Sequence, residues 1–146
     1  MHVLGLQLAF PFVLVTAAIS QAPNLVLNGS FELGPGNNIT APSLLMNGWF
    51  VFTGTIDQVT SWQPSAGARS LDLNGSSTGG IQQVVATTPT LPYDLTFKLA
   101  GNPDLAGPKS VRVSAGNAVQ IFTFDSTGFS YQNMGCDPAP VAWTRG

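Results

Sequence analysis

The chain has 146 residues, of which only 8% are charged, and a formal net charge of −2, a length that suits one domain with its core rather than two. Its five basic residues, Arg69, Lys98, Lys109, Arg112 and Arg145, are scattered, so there is no basic stripe to displace counterions and a nucleic-acid partner is excluded. With 44% hydrophobic and 10% aromatic residues, the composition also excludes an intrinsically disordered chain.

The first segment is apolar. Val3 to Ile19 reads VLGLQLAFPFVLVTAAI, broken by Gln7, Pro11 and Thr16, and runs into the small residues of AAISQA before Pro23. A short apolar core followed by small residues predicts a secretory signal peptide over 1–22, cleaved near Ala22. A membrane-spanning helix needs a longer run without an internal proline, so no stable membrane anchor is expected. His2, the only histidine, leaves with this segment, and with it go His-based triads and His metal sites. Cys136 is the only cysteine, so no internal disulfide, zinc cluster or CxxC motif is expected.

From Pro23 onward, short β-rich runs alternate with turn residues, and no helical period lasts three turns. Asn24–Asn28 (NLVLN) reads as a strand, and 29–48 as a long connection rich in Gly, Pro and Asn. Trp49–Phe52 and Thr55–Thr60 read as two strands around Gly54. Further strands follow over Arg69–Asn74, Gly79–Ala86, Tyr93–Ala100, Lys109–Ala115 and Ala118–Phe124. Period-two alternation turns Leu71 and Leu73 one way and Ser70, Asp72 and Asn74 the other. By the same rule Leu95, Phe97 and Leu99 face inward, as do Val111 and Val113, while Arg112 faces out and Ile121 opposes Phe122 and Phe124. Ala115-Gly116-Asn117 is a hairpin turn. Such a series of short antiparallel strands predicts an all-β fold, a β-sandwich of jelly-roll type.

Five segments carry a family resemblance in their order: NLVLNGSFELGP, NGWFVFTGTIDQV, WQPSAGARSLDLNGSSTGGIQQ, YDLTFKLAGNP and a strand pair ending FTFDSTG. Together they resemble the choice-of-anchor C family within the larger DUF642 group, from about Asn24 to Gly135. The resemblance implies a secreted domain with a galactose-binding-like β-sandwich. It fails after NMG, where the family pattern implies a Trp, two further strands and a closing segment. Here CDPAPVAWTRG follows, interrupted by Pro and without alternation. The expected organisation is therefore a signal peptide (1–22), a sandwich (23–135) that is incomplete at its C-terminal end, and an irregular tail (136–146). The tail reads as truncated or frame-shifted, and the family's C-terminal sorting helix is absent from it.

Four residues are candidates for ligand binding. Asp72 either accepts hydrogen bonds from a sugar or braces the loop 75–80, which is built of Gly, Ser and Thr. Gln82 and Gln83 sit inside a strand, and an inward amide there either meets a ligand or ties neighbouring strands together. Trp62, in the polar stretch SWQPSAG, is either a stacking platform for a sugar or a cap on the core. Trp49 reads as core, and Trp143 belongs to the tail. By resemblance, Glu32 in NGSFE stands where related sandwiches bind calcium near both chain ends; the C-terminal Asp of that set is missing, so no metal is expected. The remaining acids, Asp57, Asp94, Asp104, Asp125 and Asp137, show no acid/base spacing. Asn28-Gly29-Ser30, Asn38-Ile39-Thr40 and Asn74-Gly75-Ser76 fit the N-glycosylation pattern and are read as turns.

The expectation is a non-catalytic exported domain without a cofactor, binding extracellular or cell-wall polysaccharide. The alternative is a structural or matrix domain that makes protein contacts with no sugar specificity.

Overall fold

The computed structural model describes residues 23–102 and 107–125. The expected signal peptide, His2, Asp104, Cys136, Asp137, Trp143 and the tail 136–146 lie outside these residues. The described elements are all strands: β1 (Ile39–Thr40), β2 (Phe50–Thr53), β3 (Thr55–Val59), β4 (Ser70–Asp72), β5 (Gly80–Gln82), β6 (Pro108–Ala115) and β7 (Ala118–Asp125). Every pairing among them is antiparallel. The all-β expectation holds over the described residues.

β2 and β3 form one bent path around Gly54, whose φ of +58° suits glycine. A side chain there would also run into the Thr78 carbonyl. On the β3 side the sheet order is β1-β3-β4, and on the β2 side β5 pairs with β2. A bulge falls between Val51 and Thr53, where the register shifts. Ser43 bridges Val51 across the other edge of β2. β6 and β7 form a separate hairpin paired without interruption from Pro108↔Asp125 to Ala115↔Ala118. Its two-residue turn starts at Gly116, with φ +55°, as a type II′ turn requires, and matches the turn read from the sequence.

The core follows the bent sheet. Ile39, Met46, Val51 and Ile56 are buried, and Phe31, Ala41, Trp49, Leu71, Leu73 and Ile81 pack against them. Leu71 and Leu73 thus take the side that alternation assigned them. Away from this cluster, Phe97 and Phe122 meet edge to face at 5.0 Å. Along β6, Val111 and Val113 are half-buried and Arg112 is exposed, while on β7 Phe122 is buried and Ile121 exposed.

Three expectations need correction. Asn24–Asn28 forms no strand, because its backbone is held by side chains rather than by a ladder. Tyr93–Ala100 keeps its alternating exposure but shows only a single bridge residue, Leu99. The stretch 29–48, read as connection, supplies β1 and two core residues, Ile39 and Met46. In addition β5 stops at Gln82, and Val84 beyond it is 95% exposed.

Candidate functional site

The N-terminal segment lies on the sheet through amide side chains. Asn28, at φ +48°, receives the Leu33 N–H on Oδ1 at 3.0 Å and donates Nδ2 to Leu33 O and Asn47 O. Its backbone carbonyl accepts from Phe31 N and from the Trp49 indole at 3.1 Å. The Trp49 ring also meets Phe31 at 5.5 Å. Trp49 is therefore part of the core surround.

Beneath this segment lies Gln58, the only buried polar residue among the described ones, 1% exposed. Its Nε2 donates to Phe31 O at 2.6 Å, and its Oε1 accepts from Gly36 N at 3.1 Å and from Arg69 Nη1 at 3.3 Å. Arg69 donates as well to Gly34 O. Gly34 leaves room for this arrangement, since a Cβ there would sit on the Gln58 amide. The Glu32 Oε1 accepts from the backbone N–H groups of Ala68 and Arg69 at 3.1 and 3.2 Å. N–H donors converging on that oxygen do not fit a calcium cage of oxygen ligands, and Glu32 instead secures the loop ahead of β4.

Asp72 lies directly across from Asp57 on the outer face of β3–β4. Its Oδ1 takes the Asn74 N–H at 2.8 Å, an Asx turn. Asp57 Oδ1 takes the Asn38 N–H. The polar loop is held chiefly by Thr55, whose Oγ1 receives the Ser77 N–H at 2.9 Å and whose backbone pairs with Gly75 and Ser77. Thr55 was not singled out from the sequence.

The two adjacent glutamines play different parts. Gln83 is half-buried; its Oε1 accepts from Leu27 N at 2.8 Å, while Nε2 donates to Leu27 O at 2.9 Å and Gly48 O at 2.6 Å. The amide thus pairs with Leu27 as a neighbouring strand would. Gln82 points to the opposite face, is exposed, and stands directly across from Phe50.

Around this pair opens a cleft of about 320 Å³ lined by Leu44, Gly48, Trp49, Phe50, Gln82, Gln83 and Val84. Leu44 and Val84 are 78% and 95% exposed, so its walls stand in water. The structure thus brings Gln82 and Gln83 to one cleft with Trp49 and Phe50. It does not bring Trp62 or Asp72 there: Trp62 is half-buried in the bend after β3, and Asp72 is on the β3–β4 face. Among the described residues, no group of three His, Cys, Asp or Glu side chains could hold a metal ion, and no helix is long and apolar enough to cross a membrane.

Comparison with known proteins gives two matches. The family described as "Protein of unknown function (DUF642)" matches residues 24–145. Halomucin from Haloquadratum walsbyi is 40% identical over 93 residues, covering 57% of this chain and 1% of halomucin. The chain therefore spans about one-hundredth of the length of that relative. No solved structure matches.

Proposed function

This chain belongs to the DUF642 family, and from that premise we propose that it is a secreted, non-catalytic domain that binds extracellular or cell-wall polysaccharide. The observation that carries this reading is the cleft on β2–β5, where the Phe50 ring and the Gln82 amide stand side by side on an open sheet face. A pyranose offers one apolar C–H face and a rim of hydroxyls. An aromatic ring beside an amide meets both. Asp57 and Asp72 face each other across β3–β4, but neither lines the cleft, and each carboxylate already holds a backbone N–H. That supports binding rather than hydrolysis.

The finer architecture belongs to the same proposal. The antiparallel strands are read as one part of a galactose-binding-like jelly-roll sandwich of the choice-of-anchor C type. The apolar run Val3–Ile19 supports a signal peptide and hence export, and similarity to a protein named halomucin supports the same address.

The test is retention on insoluble polysaccharides. The chain is expected to be retained, and Gln82→Ala and Val84→Ser to lose retention while keeping the unfolding transition of the parent. A second reading, a matrix domain that binds protein, is favoured by the solvent exposure of Leu44 and Val84 on the cleft walls. Retention on no polysaccharide would leave that reading in its place.

A further inference from the structure

The cleft also carries a selectivity, and this inference rests on the polysaccharide reading above. We propose that the β2–β5 cleft accepts uncharged sugars and rejects acidic ones, with Gln82 as the selecting side chain. Three observations lead there. None of the seven residues lining the cleft is charged, and the chain from Leu73 to Tyr93, which supplies β5 and its extension, contains no Asp, Glu, Lys or Arg at all. A carboxylate or sulfate held against Phe50 and Gln82 would meet no cation among these lining residues, so the part of its hydration shell given up on contact would go uncompensated.

The second observation is the division of work between the two amides. Gln83 donates both N–H directions to Leu27 O and Gly48 O and accepts the Leu27 N–H. Both of its donors are thus engaged within the chain. The Trp49 indole N–H is likewise directed to Asn28 O. Gln82 is the remaining side-chain amide of the cleft. An amide presents a donor and an acceptor together, which matches a hydroxyl and does not complement a carboxylate as a guanidinium does.

The third observation is geometric. Gln82 and Phe50 are a cross-strand pair, so their Cβ atoms lie about 4.5–5.5 Å apart on one face. A single sugar ring can therefore lie on the phenyl face while one of its hydroxyls reaches the amide. Leu44 and Val84 at the walls add apolar contact to the ring's C–H groups.

The test uses a soluble glucan and a galactan, each alongside its own carboxymethylated derivative, so that charge is the one change within each pair. Affinity electrophoresis and titration calorimetry on the full chain are expected to show binding to at least one neutral polymer. Its carboxymethylated partner should bind about tenfold or more weakly. Gln82→Ala should abolish the neutral binding, and Gln82→Arg should raise the relative affinity for the charged derivative. Equal or tighter binding of the charged polymer, still lost in Gln82→Ala, would overturn the selectivity and leave the polysaccharide reading standing. Binding to none of the four polymers would overturn both.

Discussion

Replacing Gln58 by alanine tests the buried polar cluster that seats the N-terminal segment. The side chain is 1% exposed and makes hydrogen bonds to Phe31 O, Gly36 N and Arg69 Nη1. In Gln58→Ala, Phe31 O and the Gly36 N–H lose their partner, at about 1–3 kcal/mol each. Arg69 keeps Gly34 O, so its share is smaller, about 1 kcal/mol. The void left by the shortened side chain adds about 1 kcal/mol. Stability should fall by roughly 4–8 kcal/mol, much of the 5–15 kcal/mol or so that holds an ordinary domain together. Urea unfolding followed by tryptophan fluorescence measures it. Gln58→Glu sharpens the test by keeping the shape while placing an oxygen where Nε2 donated. It should be less stable than the parent near neutral pH, because a carboxylate cannot donate to Phe31 O. It should be more stable than Gln58→Ala, because it keeps an acceptor for Gly36 N and Arg69 Nη1. A loss below about 1 kcal/mol in Gln58→Ala would refute the reasoning.

The amide of Gln83 stands in for a strand neighbour of Leu27; Gln83→Ala should cost about 1–3 kcal/mol and speed hydrogen exchange at the Leu27 amide, read by NMR. Gly67 sits at φ +67° with the Glu32 carboxylate where a Cβ would lie. Gly67→Ala should therefore lower stability by about 2–3 kcal/mol, shrinking toward about 1 kcal/mol in a Glu32→Ala background, in a thermal-melting double-mutant cycle. Asp72→Asn keeps an acceptor for the Asn74 N–H and removes a charge facing Asp57, so chemical denaturation should show no loss and a gain of up to about 0.5 kcal/mol.

Much of the strand content was legible because period-two burial is a local signal. Leu71 and Leu73 turn inward as their spacing requires, and the β6–β7 hairpin forms around the Gly116 turn that its sequence announces. Gln58 was legible in principle: in TIDQV it shares the inward face with Ile56, and a polar residue at a core position demands partners. Those partners, Phe31 O and Gly36 N, are 27 and 22 residues away, and no local pattern supplies that distance. Asn24–Asn28 misled for the same reason. Its Leu-Val-Leu run has a strand's composition, but its backbone is met by the Gln83 side chain 56 residues on. The candidate cleft was half visible: Gln82 and Gln83 were marked by position, whereas the pairing of Gln82 with Phe50 depends on a register set by the bulge between Val51 and Thr53.

The most direct test of the central claim, that the outer face of β2–β5 is the working surface, is a chemical-shift titration of the full chain with a neutral oligosaccharide. Shifts confined to residues 44–50 and 82–84 are the predicted result. Shifts centred on Trp62 and Asp72, or no shifts with any neutral sugar, would contradict it.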